Sequence, residues 1–394
     1  MIEARERLRQ AGWLARPETQ QLLALLDGDQ RRTRVVGGAV RDTLLGLGQE
    51  LADLDLATEL MPGEVVVRAE RAGVAVYPTG LAHGTVTLKA GTLVAEVTTL
   101  REDVETDGRH AVVRFGQDWR EDAARRDFTL NALYAEMDGM LFDPLGGLAD
   151  CLEHRVRFIG DASRRIAEDR LRVYRFFRFS ASHGEERLDA DGLAACAAAA
   201  GDLGRLAAER VGAEMRRMLA LPRVARTLKA MVGIGLPLPV EALELLQVYE
   251  RRTRRADYGS RLALLFSAGD AETLRQRWRL SNDDVQLAED ILAAARLIGG
   301  FRINEAAYRY PAVLAGAVEV AAVLSGWSEA GRGAVLEQLS AMSVPRFPVT
   351  GSDLIAAGQK PGPELGDRLR RLEAEWIESG FTLDREALLA GIGR

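Results

Sequence analysis

The chain has 394 residues, more than one hydrophobic core comfortably serves, so two or more domains are expected. With 47% apolar and 28% charged residues the composition is that of an ordinary soluble protein, and no segment nears the 18 or so uninterrupted apolar residues of a membrane span. A net charge of −6 argues against binding polyanions through the whole field, while leaving room for a local basic channel.

Two cysteines, Cys151 and Cys196, build neither a disulfide framework nor a four-thiolate site, and no cysteine–histidine cluster has ligand spacing, so no zinc is expected. The opening "MIEARERLRQAGWLARPETQ" has no apolar leader, which points to a cytoplasmic protein, and nothing implies a protein partner. Only Lys89, Lys229 and Lys360 are lysines; the arginines gather at 120–126, 155–178, 216–217 and 251–261.

In chain order, residues 1–30 read as one or two helices, with "QQLLALL" as the apolar turn. From 34 to 142 short β-rich runs ("RVVGG", "VAVYPTG", "GTVTL", "LVAEVTTL", "LYAEMDGMLFDP") alternate with helical "AVRDTLLGL" and "PGEVVVRAERAG", which predicts a mixed α/β domain. Beyond about 160 the pattern is helical to the end, with proline and glycine breaks near 221–240 and 343–363.

The chemistry-bearing motifs follow the same order. In "RVVGGAVRD", Gly37 and Gly38 end a strand and open a helix, so free backbone N–H groups face outward where phosphates bind, with Arg41 one turn further in. In "LADLDLATEL", Asp53 and Asp55 are two apart on a strand and share a face; like charges that close call for a hard divalent cation. Phosphates on the glycines and metal on the acids describe a nucleoside triphosphate with magnesium. Glu96 in "LVAEVTTL" is a candidate third acid, whereas His83 reads as a turn residue.

"EDAARRDFTLNALY" places Arg125, Arg126 and Asp127 before an apolar run, with Asn131 expected one helical turn beyond Asp127. Here an arginine binds triphosphate while Asp127 holds an arginine or the ribose. "RRIAEDRLRVYRFFRFSA" is expected to be one helix on which Asp169, Arg172, Arg175 and Arg178 spiral, so that only neighbours converge. An aspartate accepting from an exocyclic amine beside an arginine donating to a ring acceptor accepts cytosine and adenine and rejects guanine and uracil. Among the helical arginines, Arg251, Arg252, Arg254 and Arg255 are candidate RNA phosphate contacts.

These motifs, with "GLAHGTVTL", "EVTTLRED", "DPLGGLADCL" and "ERVGAEMRRML", resemble the class II tRNA nucleotidyltransferase and poly(A) polymerase family, and within it the CCA-adding enzymes. The resemblance implies a polymerase-β-like nucleotidyltransferase head of α+β fold over 1–145, then an all-α neck over 146–220 that reads the base, and a helical body and tail over 221–394 that hold tRNA. It further implies Gly38 and Arg41 on the incoming CTP or ATP, and Asp53 and Asp55 on Mg2+. Arg125 or Arg126 would contact the nucleotide, Asp169 and Arg172 would read the base, and Arg175 and Arg178 would assist with phosphate and helix architecture. The implied reaction is addition of C, C and A to the tRNA 3′ end with release of pyrophosphate.

Poly(A) synthesis, CC-only addition and A-only addition share this core. The "TGLAHGTVTL" stretch and the lack of a strongly basic tail favour CCA addition over poly(A). A non-catalytic RNA-binding protein would need neither Asp53 and Asp55 nor the "GGAVRD" turn. With four histidines and no His-Asp pair, an appended histidine–aspartate phosphohydrolase domain is not expected.

Overall fold

The computed structural model describes residues 1–47, 53–106, 111–253 and 256–390. Three short helices open the chain, α1 (Ile2–Arg9), α2 (Gly12–Ala15) and α3 (Pro17–Leu25), where one or two were expected. The extra break falls at Arg16, whose backbone is extended (φ −60°, ψ 137°). Pro17 causes it, because proline disfavours helical backbone in the residue before it and suits the first turn of the helix it begins.

Then come β1 (Thr33–Val36), α4 (Gly38–Leu44), β2 (Asp53–Thr58), α5 (Pro62–Arg71), β3 (Ala75–Gly80), β4 (Thr85–Ala90) and β5 (Leu93–Thr99). The hairpin β6 (Arg101–Thr106) and β7 (Ala111–Phe115) follows, with α6 (Trp119–Ala124), β8 (Tyr134–Ala135) and β9 (Leu141–Phe142) closing the α/β part. Seven strands form one mixed sheet in the order β3-β4-β5-β2-β1-β8-β9, with β2 and β5 parallel and the other neighbours antiparallel. In β5 the alternation is legible residue by residue: Leu93, Ala95, Val97 and Thr99 are buried and Glu96 is exposed.

Among the described residues no strand follows β9. The helices α7 (Gly147–Leu152), α8 (Ala162–Glu168), α9 (Arg172–His183), α10 (Ala190–Ala199), α11 (Ala208–Leu219), α12 (Ala225–Gly233), α13 (Val240–Arg252) and α14 (Tyr258–Ala268) lead into further helices up to residue 390. None is long and apolar enough to cross a membrane by itself.

The chain divides into two compact units: Met1–Met218 with Ala230–Leu236, and Leu219–Lys229 with the chain from Pro237 onward. In the first, a pile of aromatic rings anchors α9 to the chain segments at Phe128 and Phe158, which pair through an isolated antiparallel bridge. Phe128 meets Phe158 at 4.9 Å and Phe179 at 5.4 Å, and Phe158 stacks on Phe176 at 5.5 Å. Phe128 and Phe176 are fully buried, so the rotation of α9 is fixed and with it the directions in which Arg172, Arg175 and Arg178 leave the helix. In the second unit the long helix Asn282–Gly299 starts with a reciprocal cap between Ser281 and Asp284. Near the end of the chain, Leu354, Leu372, Trp376, Ile377 and Leu388 gather in a core of their own.

Candidate active site

Gly37 is where β1 turns into α4. Its backbone (φ 78°, ψ −127°) belongs to a region open only to glycine, and a Cβ there would lie 3.8 Å from Asp55 Oδ2. The requirement is therefore conformational, and it brings the first N–H groups of α4 to the rim of β2. Asp53 and Asp55 are both exposed, on the same face of β2, and neither touches an arginine among the described residues. Asp55 pairs in register with Glu96 of the parallel β5. Desolvation and the charges of Glu96 and Asp53 raise the Asp55 carboxyl above its ordinary range, against the pull of Arg126.

Behind this face lies an acid with two arginines. Asp122 is 1% exposed; its Oδ1 accepts from Arg125 Nε at 2.8 Å and its Oδ2 from Arg126 Nη2 at 3.2 Å and Tyr134 Oη at 2.8 Å. Burial alone would push this carboxyl up, but Arg126, Arg125 and the Tyr134 hydroxyl outweigh it and hold it below the usual carboxylate range. Asp122→Asn is expected to cost about 3 kcal/mol in denaturant unfolding, the scale of breaking a buried ion pair. Because the folded pKa is depressed, the contribution of Asp122 is complete above the unfolded carboxylate value and is lost as pH falls through the folded one. The gap between wild type and variant should therefore narrow in acid; a gap independent of pH would count against the clamp.

Asp127 works differently. Its Oδ2 accepts from Arg175 Nε at 2.7 Å, and its Oδ1 from the Phe128 N–H at 2.9 Å and Asn131 Nδ2 at 3.0 Å. Asn131 Oδ1 then accepts from Arg41 Nη1 at 2.6 Å, and Arg41 Nε donates to Asp42 Oδ1 at 2.7 Å. His183 Nε2 stands 3.0 Å from the same Asp42 oxygen, and burial lowers its pKa, so the neutral ring donates there. Asp127 and Asn131 were expected one turn apart on an α-helix. Instead Asp127 precedes a 3-10 turn, Thr129–Asn131, and the tight turn still delivers Asn131 to it.

A larger correction concerns the expected single helix over 164–181. Helix α8 stops at Glu168, Asp169 is extended (φ −147°, ψ 106°), and α9 starts at Arg172. The cause is local: Asp169 Oδ1 accepts from the Leu171 N–H at 3.0 Å and its carbonyl from the Arg172 N–H at 3.0 Å, a bonded turn competing with helix. Asp169 and Arg172 thus sit on either side of a corner. Asp169 Oδ2 is 2.7 Å from Arg210 Nη2, and Arg172 Nη1 donates to Glu168 Oε2 and Arg165 O, both at 2.7 Å.

Gly37, Gly38, Arg41, Asp55, Arg125, Arg126, Asp127, Asn131, Asp169, Arg172, Arg175 and Phe179 enclose a cavity of about 470 Å³. Asp53 lies two residues from Asp55 on the same strand face, outside the lining. Arg178 is also outside it, with Nε 2.5 Å from Glu214 Oε2 and its guanidinium 4.2 Å over the Phe179 ring. A larger cavity, about 710 Å³, lies between the 157–163 and 189–198 segments and gathers no comparable set of arginines and acids. The smaller one is the candidate site, because the glycine turn, Asp55, Asp127, Asp169 and five arginines line it together. Sequence reasoning assigned no role to Asp122, Phe179, Arg210 or Glu214. The last two lie in "ERVGAEMRRML", a motif whose spacing carried a signal that pointed to no individual residue.

Among the described residues, no three His, Cys, Asp or Glu side chains converge to hold a metal by themselves. Two exposed, unpaired carboxylates facing one side fit a hard cation whose remaining ligands are substrate oxygens and water. The buried thiols of Cys151 and Cys196, each pushed up to about 12 by burial, offer no thiolate.

Residues 33–157 match the family model of the poly A polymerase head domain. The chain is 34% identical to the mitochondrial CCA tRNA nucleotidyltransferase 1 of Danio rerio, over 95% of this chain and 90% of that protein. It is 31% identical to the CCA-adding enzyme of Levilactobacillus brevis, over 91% and 92%. Among solved structures it resembles the Bacillus stearothermophilus CCA-adding enzyme in complex with CTP, with TM-score 0.77 and 28% identity over 92% of this chain and 94% of that one.

Proposed function

The chain belongs to the tRNA nucleotidyltransferase family of CCA-adding enzymes, and from that premise we propose that it adds C, C and A to the 3′ end of tRNA, taking CTP and ATP into the 470 Å³ cavity and releasing pyrophosphate. The observation that carries this reading is the joint lining of that cavity by the glycine turn, Asp55, the two clamped arginines and the Asp169–Arg172 corner. On this proposal the elements that would take triphosphate, metal and base open on one space.

In this reading the Gly37–Gly38 backbone and Arg41 hold triphosphate oxygens, with Asn131 and Asp42 fixing the Arg41 guanidinium. Arg125 or Arg126, oriented by Asp122, binds the nucleotide. Asp127 keeps Arg175 directed at the cavity. Asp53 and Asp55 would hold magnesium, which when bound neutralises phosphate charge and activates the 3′-hydroxyl for in-line attack. Asp169 and Arg172 read the base, while Arg178 braces α9 through Glu214. The division into a head to 145, a neck to 220 and a tRNA-holding remainder, and a cytoplasmic location, go with this proposal; the two free, buried cysteines support a reducing compartment.

The test is incubation of tRNA lacking its CCA end with each labelled nucleotide singly and then with CTP and ATP together. Two C residues from CTP alone and one further A when ATP is present are the expected products. Long A tracts from ATP alone would instead mean poly(A) synthesis, and no incorporation would end the catalytic reading.

A further inference from the structure

Residues 215–240 carry five cations and no carboxylate, in a chain where acids outnumber bases. Within that stretch Val224, Ala225, Thr227 and Leu228 are buried, whereas Arg223, Arg226 and Lys229 are exposed. Arg226 and Lys229 are neighbours on the surface of α12, and Arg223 precedes Arg226 by the same three residues. None of the three has an acidic partner among the described residues, unlike Arg217 with Glu214 just before them.

The backbone under these cations is tied down from within. Arg261, 0% exposed, donates through Nη1 to the carbonyls of Leu219 at 2.7 Å and of Leu221, and through Nη2 to that of Pro222 at 2.8 Å. It also pairs with Glu250 at 3.3 Å. Glu250 Oε1 in turn accepts from the N–H groups of Val224 at 2.8 Å and Ala225 at 3.2 Å, capping the start of α12. Burying an arginine costs free energy unless it is paired and hydrogen-bonded, and here both Nη groups are used to fix one stretch of chain. The result is three cations presented from a rigid base, so little backbone ordering remains to be done when an anion binds.

We propose that Arg223, Arg226 and Lys229 form a docking surface for the phosphodiester backbone of the tRNA substrate; the assignment rests on the tRNA reading above. Charge selects the occupant: a run of cations without acids suits a polyanion with regularly spaced phosphates. The surface also replaces part of the expected one. Arg252 is committed to the Ala322 carbonyl at 2.8 Å, Arg254 and Arg255 lie outside the described residues, and Arg251 remains exposed on the last turn of α13.

The experiment compares wild type with the triple variant Arg223→Gln/Arg226→Gln/Lys229→Gln, measuring Kd for tRNA lacking its CCA end between about 50 and 200 mM salt. Each lost phosphate contact removes roughly 0.7–0.9 from the slope of log K against log salt, so the variant's slope should be shallower by about 2–3 and its affinity about tenfold or more weaker at low salt. The KM for CTP and the kcat at saturating tRNA should not change, and neither should the thermal unfolding midpoint, because all three side chains are exposed. The double variant Arg223→Lys/Arg226→Lys should keep the wild-type slope, since phosphate is met here as point charge. An unchanged slope in the triple variant, with wild type extending tRNA normally, would overturn the surface. Wild type failing to bind or extend tRNA would overturn the functional reading itself.

Discussion

Asp53→Ala and Asp55→Ala should each stop nucleotide addition, by about 10³-fold or more in kcat/KM, while tRNA affinity stays within severalfold. The two halves of this expectation come from the same geometry. Both carboxylates face outward from one strand and neither is held in a salt bridge among the described residues; Arg126 acts on Asp55 only against the opposing push of desolvation, Glu96 and Asp53. Removing one leaves no buried arginine stranded and no core cavity, so a loss of folding is not the expected route to inactivity. Asp55→Asn, which keeps shape and removes charge, should be nearly as inactive as the alanine variant. Glu96→Gln, one strand away in register with Asp55, should lose less than either aspartate variant. Chelation of divalent cations from wild type should reproduce the phenotype, and added magnesium should restore activity. Near-normal turnover by either alanine variant, with its fold confirmed by unfolding, would remove the two aspartates from the chemistry.

The parts of this site that could be read from sequence are those encoded by short-range periodicity. A two-residue repeat fixes which side of a strand a residue faces, so "DLDL" specified two carboxylates on one face before any neighbour was known. The glycine pair between an apolar strand and a helix specified a turn that no other residue makes, and Gly37 with φ 78° is that turn. The alternation in "LVAEVTTL" likewise separated Glu96 from the buried side of β5. Where the reading failed, a local side-chain bond competed with helix. Asp169 and Asp127 each bond a nearby N–H, at Leu171 and Phe128, and helix periodicity is lost at both places. Other features were out of reach because they depend on long-range partners. Asp122 looked like any acid at a helix start, and only Tyr134, twelve residues on, completes its role as a clamp. Glu214 captures Arg178 from 36 residues away, and so one of the three arginines in the ladder is drawn out of the cavity.

That last difference separates two classes of arginine and acid around α9, and nucleotide selectivity measures it. Asp169 lines the cavity, with Oδ2 on Arg210 and Oδ1 on the Leu171 N–H; each oxygen keeps a lone pair for an exocyclic amine. Arg172 lines the same cavity, and of its five donors the contacts to Arg165, Glu168 and Arg125 leave others for a ring acceptor. Cytosine and adenine present an amine beside such an acceptor, whereas guanine and uracil present a carbonyl beside a ring N–H. A bidentate polar contact to a base is worth about 1–3 kcal/mol, so Asp169→Ala should raise the use of UTP or GTP relative to CTP by roughly 5- to 150-fold, on top of a fall in rate. Arg178→Ala should lower activity for every nucleotide in proportion, because its guanidinium lies on Glu214 and over Phe179, outside the cavity lining. Measuring kcat/KM for all four nucleoside triphosphates on both variants tests the two statements together. Relaxed selectivity in Arg178→Ala with the ranking intact in Asp169→Ala would show that the Asp169–Arg172 corner does not read the base.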